Sequence, residues 1–226
     1  LADAMLAIEM ISSSQLKDGR YDINGPIVVM PFIDAAMARR AAQQLAARAG
    51  CKGLLLAVHD DHREGFVSLI NGAFAATQSQ SFAYVAQDAF AGRYWLALAH
   101  AALSVPGAGL AALNDGKWSG RMASFGLVRR RWAQSLYDGC LFHPEYHSHY
   151  GDTELSLIAQ AQGALCYDPN AVLVEVDWRK DQSQINPADK SLFDRRLKSG
   201  FDNRLNAPAA VRAAPQILQA GQRDNS

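Results

Sequence analysis

The sequence predicts an α/β fold: a mostly parallel central sheet with helices on both faces. Three observations carry that prediction. Apolar runs of strand length alternate with helical stretches across short connections, as βαβ units require. Three runs end in acidic residues: 53–58 leads into His59, Asp60 and Asp61, 82–86 into Gln87 and Asp88, and 110–113 into Asn114 and Asp115. A further acidic pair, Asp152 and Glu154, closes the series. Parallel strands would bring these carboxyl ends to one sheet edge, where open α/β sheets bind ligands. Carboxylates gathered there repel one another unless a cation or a cationic ligand neutralises them. The pattern points to a metal-assisted site for a phosphate-bearing substrate.

Taken in order, residues 1–25 read as a short helix followed by a polar turn around Lys17-Asp18-Gly19-Arg20 and Asn24-Gly25-Pro26. Residues 27–30 form a short buried strand, stopped by Pro31. Asp34 is the N-cap of a helix running to Ala49, with Met37, Ala41 and Leu45 on one face and Gly50 at its end. The second strand is 53–58, followed by a helix over 65–77 and the third strand over 82–86. A helix over 93–103 ends at Pro106-Gly107, and the fourth strand covers 109–113. Beyond Trp118 the rhythm changes. Residues 122–128 predict a strand crossing the end of the sheet, 152–162 a helix stopped by Gly163, and 172–176 another strand. The tail after about residue 203 is rich in Ala, Gln, Asn and Pro, and is expected to be partly mobile. The organisation expected is a helical extension over 1–25, one domain over 26–178 and a C-terminal extension over 179–226.

Composition excludes several classes of function. Twenty-two basic residues offset twenty-two acidic ones, so no global field recruits nucleic acid. Cys51, Cys140 and Cys166 are widely spaced without a CxxC, which argues against a disulfide framework or zinc ribbon and suits a reducing cytoplasm. No apolar run approaches the roughly 20 residues that span a bilayer, and residues 1–11 lack a basic leader. The expected location is cytoplasmic, or peripheral at the inner face of the membrane. The dinucleotide, P-loop and nucleophile-elbow signatures are all missing.

Several residues are candidates for chemistry. Asp60, Asp61 and Asp88 each follow a strand; the same positions also suit helix caps. Asp152 and Glu154 open a helix, where carboxylates also complement the macrodipole. The segment before them, Phe142-His143-Pro144-Glu145-Tyr146-His147-Ser148-His149-Tyr150, is of the composition that lines a site. His147 and His149 lack a third zinc ligand at a familiar spacing.

The order of these motifs resembles the nucleotide-sugar glycosyltransferases of the GT-A fold, close to glycosyltransferase family 2. The matching residues are Val28-Val29-Met30-Pro31-Phe32, Val58-His59-Asp60-Asp61, Asn71-Gly72-Ala73-Phe74-Ala75-Ala76 and Tyr84-Val85-Ala86-Gln87-Asp88 with Trp95-Leu96. They continue through Leu127-Val128-Arg129-Arg130, Trp132, Gly139, Tyr150-Gly151-Asp152-Thr153-Glu154-Leu155, Ala159 and Gly163. The resemblance covers about residues 26–178. It implies sugar transfer from a nucleotide-diphosphate sugar to a glycan or lipid-linked acceptor, metal-dependent and inverting. Pro31, Asp60, Asp61, Asn71, Gln87 and Asp88 would serve the donor, and Asp88 with Asp177 would hold Mn²⁺ or Mg²⁺. Asp152 would be the base, with Glu154 as its competitor. Arg129, Arg130, His147 and His149 would face acceptor or phosphate.

The chain also departs from that pattern. Gln87-Asp88 offers one carboxylate where the family usually has two, and Gly151 stands where a Glu often precedes the base. Asp60 and Asp88 lie only 28 positions apart (88 − 60), so part of the nucleotide half is shortened. Glu175-Val176-Asp177-Trp178 occupies the region of a late His-x-His. The alternatives are an inactive relative that binds glycan or protein, and a nucleotidyltransferase. The latter would need a Gly-rich basic loop after the first strand, which residues 31–37 do not provide.

Overall fold

The computed structural model describes residues 5–176, 185–206, 211 and 214. Its centre is set by two unbroken apolar runs, β3 (Ile27–Phe32) and β4 (Gly53–His59), whose interiors are buried on both faces as parallel strands require. Among the described residues, eight strands form one sheet in the order β1-β4-β3-β6-β9-β8-β10-β7. The others are β1 (Leu6–Ser12), β6 (Ser81–Tyr84), β7 (Ala89–Ala91), β8 (Leu110–Asn114), β9 (Gly126–Arg129) and β10 (Leu165–Glu175). A two-stranded accessory pairs β2 (Tyr21–Asp22) with β5 (Thr77–Gln78).

The pleat divides the core. Ile27 and Val29 face one layer with α1 (Ser13–Asp18), α3 (Phe66–Ala76), α6 (Gly151–Ala161) and α7 (Pro187–Lys198). Val28, Met30 and Phe32 face the other, with α2 (Ala35–Arg48) and α4 (Trp95–Leu103). Two further short helices among the described residues are α5 (Arg130–Ala133) and α8 (Gly200–Asn203). Asp34 caps α2 as expected, accepting from the N–H groups of Ala36 and Met37 at 2.8 and 2.9 Å. No helix among the described residues is long and apolar enough to cross a membrane.

Strand direction positions the site. β1, β4, β3 and β6 are parallel, and β9 runs antiparallel to both β6 and β8. β8 therefore points the same way as β6, and the ends of β4, β6 and β8 reach one edge. Asp60, Asp88 and Asp115 all follow strands that finish there.

Four local expectations are corrected. Residues 6–12 form a strand, not a helix, paired with β4 along its whole length; an apolar run this short has no periodicity that separates the two. It takes the edge beside β4, while only α3 and β5 separate β4 from β6. Pro31 does not stop β3. Its missing N–H faces the β6 side, where the ladder has already ended at Val29 and Tyr84. The strand predicted to cross the sheet end instead lies inside the sheet as β9. β10 begins at Leu165, seven residues earlier than expected, because a register shift between Tyr167 and Val172 hides its continuity.

Candidate functional site

The paired aspartates after β4 diverge. Asp60 is 9% exposed, and its carboxylate accepts from the backbone N–H of Glu64 at 2.7 Å and of Gly65 at 3.1 Å. It shapes the turn into α3. Gly65 is required at this point: its φ is +90°, and a Cβ would fall 2.6 Å from the His147 ring. Asp61 is exposed and turns the other way, accepting from the Ser13 backbone N–H at 3.2 Å and from the Ser13 hydroxyl. That hydroxyl holds its carboxyl below the usual carboxylate range.

Gln87 is committed to the backbone. Its Oε1 accepts from Ile33 at 2.8 Å and Asp34 at 3.0 Å, fixing the turn between β3 and α2 just beyond Pro31. Asp88, 5% exposed, is joined to the end of β10 through its carbonyl, which accepts from Val176 at 3.0 Å. Asn71 is likewise committed to backbone: its Nδ2 donates to the Phe142 carbonyl, and its Oδ1 accepts from the Leu141 and Phe142 N–H groups. It therefore anchors the aromatic loop to α3.

Asp115 and Asp152 come together at the same edge. α6 descends from that edge, since β10 starts opposite Leu110 at the far side of the sheet. Asp152 is half-buried in the first turn of α6, and its Oδ1 accepts from the Thr153 N–H at 2.8 Å. Burial pushes its carboxyl up to about 6; bonds from Thr153 oppose that shift, and the Asp115 charge adds to it. Asp115 accepts from the N–H groups of Lys117 and Trp118, both at 2.9 Å, and from the Ser124 hydroxyl.

Glu154 has the opposite environment. It is 0% exposed and accepts from Tyr137 at 2.6 Å, from Tyr146 at 2.8 Å and from Arg196 at 2.8 and 2.9 Å. Its oxygens are occupied inside the core, which removes it as a candidate base. Two residues absent from the expected site, Asp189 and Arg196, organise this region. Asp189 accepts from the backbone N–H groups of His147, Ser148 and His149 at 2.8, 2.9 and 2.9 Å. The His147 ring contacts Ser148 at 2.7 Å, and burial draws the His149 imidazole below its usual value. These histidines shape a loop; nothing in their contacts marks a zinc pair.

The arginine pair is corrected outright. Because β9 runs antiparallel, Arg129 pairs with Ser81, the first residue of β6, at the edge opposite the carboxylates. Arg129 donates to the carbonyls of Ala108 and Leu103. Arg130 is 5% exposed, donates to Ser79 and Phe74 carbonyls and the Thr77 hydroxyl, and stacks over Phe74 at 4.3 Å. Burial lowers its guanidinium to about 10. Both arginines are engaged in holding backbone at this edge.

Among the described residues, no three His, Cys, Asp or Glu side chains gather to hold a metal ion. Asp177 lies outside the described residues. The described residues do not fit a metal held by protein ligands alone. A separate open cleft of about 290 Å³ lies between β1 and α2, lined in part by Met10, Phe32, Arg39 and His59; none of the edge carboxylates reaches it.

No protein-family model matches the chain, and no curated protein sequence does. Solved structures do. A Drosophila β-1,4-galactosyltransferase 7 mutant in complex with manganese, UDP-Gal and xylobiose is 16% identical over 76% of this chain and 79% of its own, with a TM-score of 0.57. A mannosyltransferase from Pyrobaculum calidifontis with GDP-Man and Mn²⁺ is 14% identical over 95% and 81%, with a TM-score of 0.53. S. aureus TarS with UDP is 10% identical over 87% and 71%, with a TM-score of 0.61. The chain has the GT-A glycosyltransferase fold.

Proposed function

We propose that this chain transfers a sugar from a nucleotide-diphosphate sugar to a hydroxyl of a glycan or lipid-linked acceptor, with inversion. The observation that carries the proposal is Asp152: a half-buried carboxylate raised to about 6, at the mouth of α6 on the edge where the strands end. A base of that strength is ionised at neutral pH yet takes a proton more readily than an ordinary aspartate. The neighbours in the same fold are complexes with UDP-Gal, GDP-Man and UDP.

On this reading two turns present backbone to the donor, the one Asp60 builds into α3 and the one Gln87 builds beyond Pro31, while exposed Asp61 is the acid of the pair that reaches the nucleoside. Asp88 anchors Mn²⁺ or Mg²⁺, and the ion would neutralise charge on the leaving diphosphate. Asp152 takes the proton of the acceptor hydroxyl on the face opposite that leaving group, and the aromatic loop over 142–150 bounds the acceptor side. The unpaired thiols of Cys51, Cys140 and Cys166 support a reducing compartment, cytoplasmic or at the inner membrane face. The even charge balance gives nucleic acid no purchase.

One observation favours a second reading, a non-catalytic glycan- or protein-binding domain: the protein-held metal cluster is missing among the described residues. Thermal shift and nucleotide release with UDP-, GDP-, CMP- and dTDP-sugars, with and without Mn²⁺, separate the two. Stabilisation with nucleotide release supports the transferase. A panel in which no sugar nucleotide stabilises the chain or loses its nucleotide sinks it.

A further inference from the structure

The face that α7 turns to the core carries Asp189, Phe193 and Arg196, spaced at i, i+4 and i+7, which places them in one row along the helix. Asp189, 2% exposed, takes the three consecutive N–H groups of residues 147–149. Phe193 stacks on Tyr150, with ring centroids 4.9 Å apart. Arg196, 7% exposed, grips both oxygens of Glu154. These contacts fall immediately before and immediately after Asp152.

We infer that α7 is the positioning element for Asp152, holding the loop on one flank and the first turn of α6 on the other. The inference rests on the reading of Asp152 as the base. The backbone between the two grips is demanding. Tyr150 sits in the left-handed region at φ 69°, and the Phe142 ring packs so close to Gly151 that a Cβ there would meet it at 3.1 Å. A non-glycine residue in that conformation persists only where its surroundings over-determine it. The stacked Phe193 and the Asp189 carboxylate supply that constraint. None of the three α7 side chains need touch substrate; each acts through the backbone that carries Asp152.

The test uses the full chain with Asp189→Asn and Phe193→Leu. Lys190→Ala is the control, since Lys190 is exposed and pairs with Asp194 on the outer side. Amide hydrogen exchange, donor binding to UDP-glucose and GDP-mannose with Mn²⁺, and steady-state nucleotide release are measured together. Exchange over residues 147–154 should rise about 10-fold or more in both variants, with β3 and α2 unchanged and the control like the parent. The transfer kcat should fall about 10-fold or more while donor KM holds, because positioning of the base is lost and donor binding is not. Residues 147–154 protected as in the parent in both variants overturns the inference. So does a fall in kcat accompanied by faster exchange across the whole sheet, which is general destabilisation. A parent that releases nucleotide from no sugar donor defeats the transferase reading alone, since the exchange data still decide whether α7 orders this loop.

Discussion

Glu154 and Arg196, 42 residues apart in sequence, meet through two hydrogen bonds of 2.8 and 2.9 Å, with exposures of 0% and 7%. Two further donors, Tyr137 and Tyr146, complete the carboxylate. The pair decides which acid in the first turn of α6 is available for chemistry. Two positions on a helix rotate a side chain by about 200°, so when Glu154 enters the core Asp152 is turned out toward the strand ends.

Glu154→Gln should therefore be a stability variant. It leaves the buried Arg196 guanidinium with Asp202 at 3.0 Å as its remaining carboxylate, so the loss should fall at or below the about 3 kcal/mol of a fully broken buried pair. Urea unfolding reads this as a lower midpoint at unchanged slope. A midpoint within error of the parent would mean that the pair contributes little to folding.

Asp152→Asn should lose transfer and gain stability. Transfer falls by about 10²–10⁴, the usual contribution of a positioned base, with donor binding retained. The carboxyl stands at about 6 in the folded chain against 3.8 ordinarily. The folded state therefore holds this proton more tightly, and stability is lost as pH rises from about 4 to 6. Asparagine removes that cost, so at pH 8 the variant should unfold with about 1–3 kcal/mol more resistance, and at pH 4 with little difference. A variant that keeps full transfer activity would remove Asp152 from the mechanism.

The pH profile of transfer should rise about tenfold per unit below pH 6 and level off above it. Asp115 contributes to that midpoint through its charge. Asp115→Asn retains one oxygen for the Lys117 and Trp118 N–H groups and should move the midpoint down. An unmoved midpoint would assign the shift to burial alone.

Asp88→Ala should abolish the part of donor binding that depends on Mn²⁺. With Asp88 as the single described carboxylate anchor, the parent should bind the ion weakly until a diphosphate brings further oxygens. Calorimetry with UDP- and GDP-sugars, with and without Mn²⁺, reads both statements. Equal metal-dependent binding by variant and parent would locate the ion elsewhere.

Much of the sheet was legible because β3 and β4 are buried on both faces and their burial writes unbroken apolar runs. β1 was not, since an edge strand with most side chains exposed carries neither period clearly. The direction of β9 is a property of its neighbours, and with it went the reading of Arg129 and Arg130, which the antiparallel turn carries to the far edge. The acids after the strands were legible by position, but their roles depended on local donors: Asp60 and Asn71 serve turns and loops that no single segment reveals. Asp189 and Arg196 were hidden for a related reason, as their partners lie about 40 residues away. The signal was present in Pro187–Lys198, where two charged residues seven positions apart flank Phe193 on one helical face.

The location of α7 gives the chain an order of assembly on the ribosome. Among the described residues the last strand of the sheet ends at Glu175, and Arg196 emerges 21 residues later (196 − 175). At about 5–20 residues per second, the sheet and its acidic edge can form a second or more before the loop around Asp152 receives its clamp. The loop around Asp152 thus receives its clamp from a helix made after the sheet it stands on.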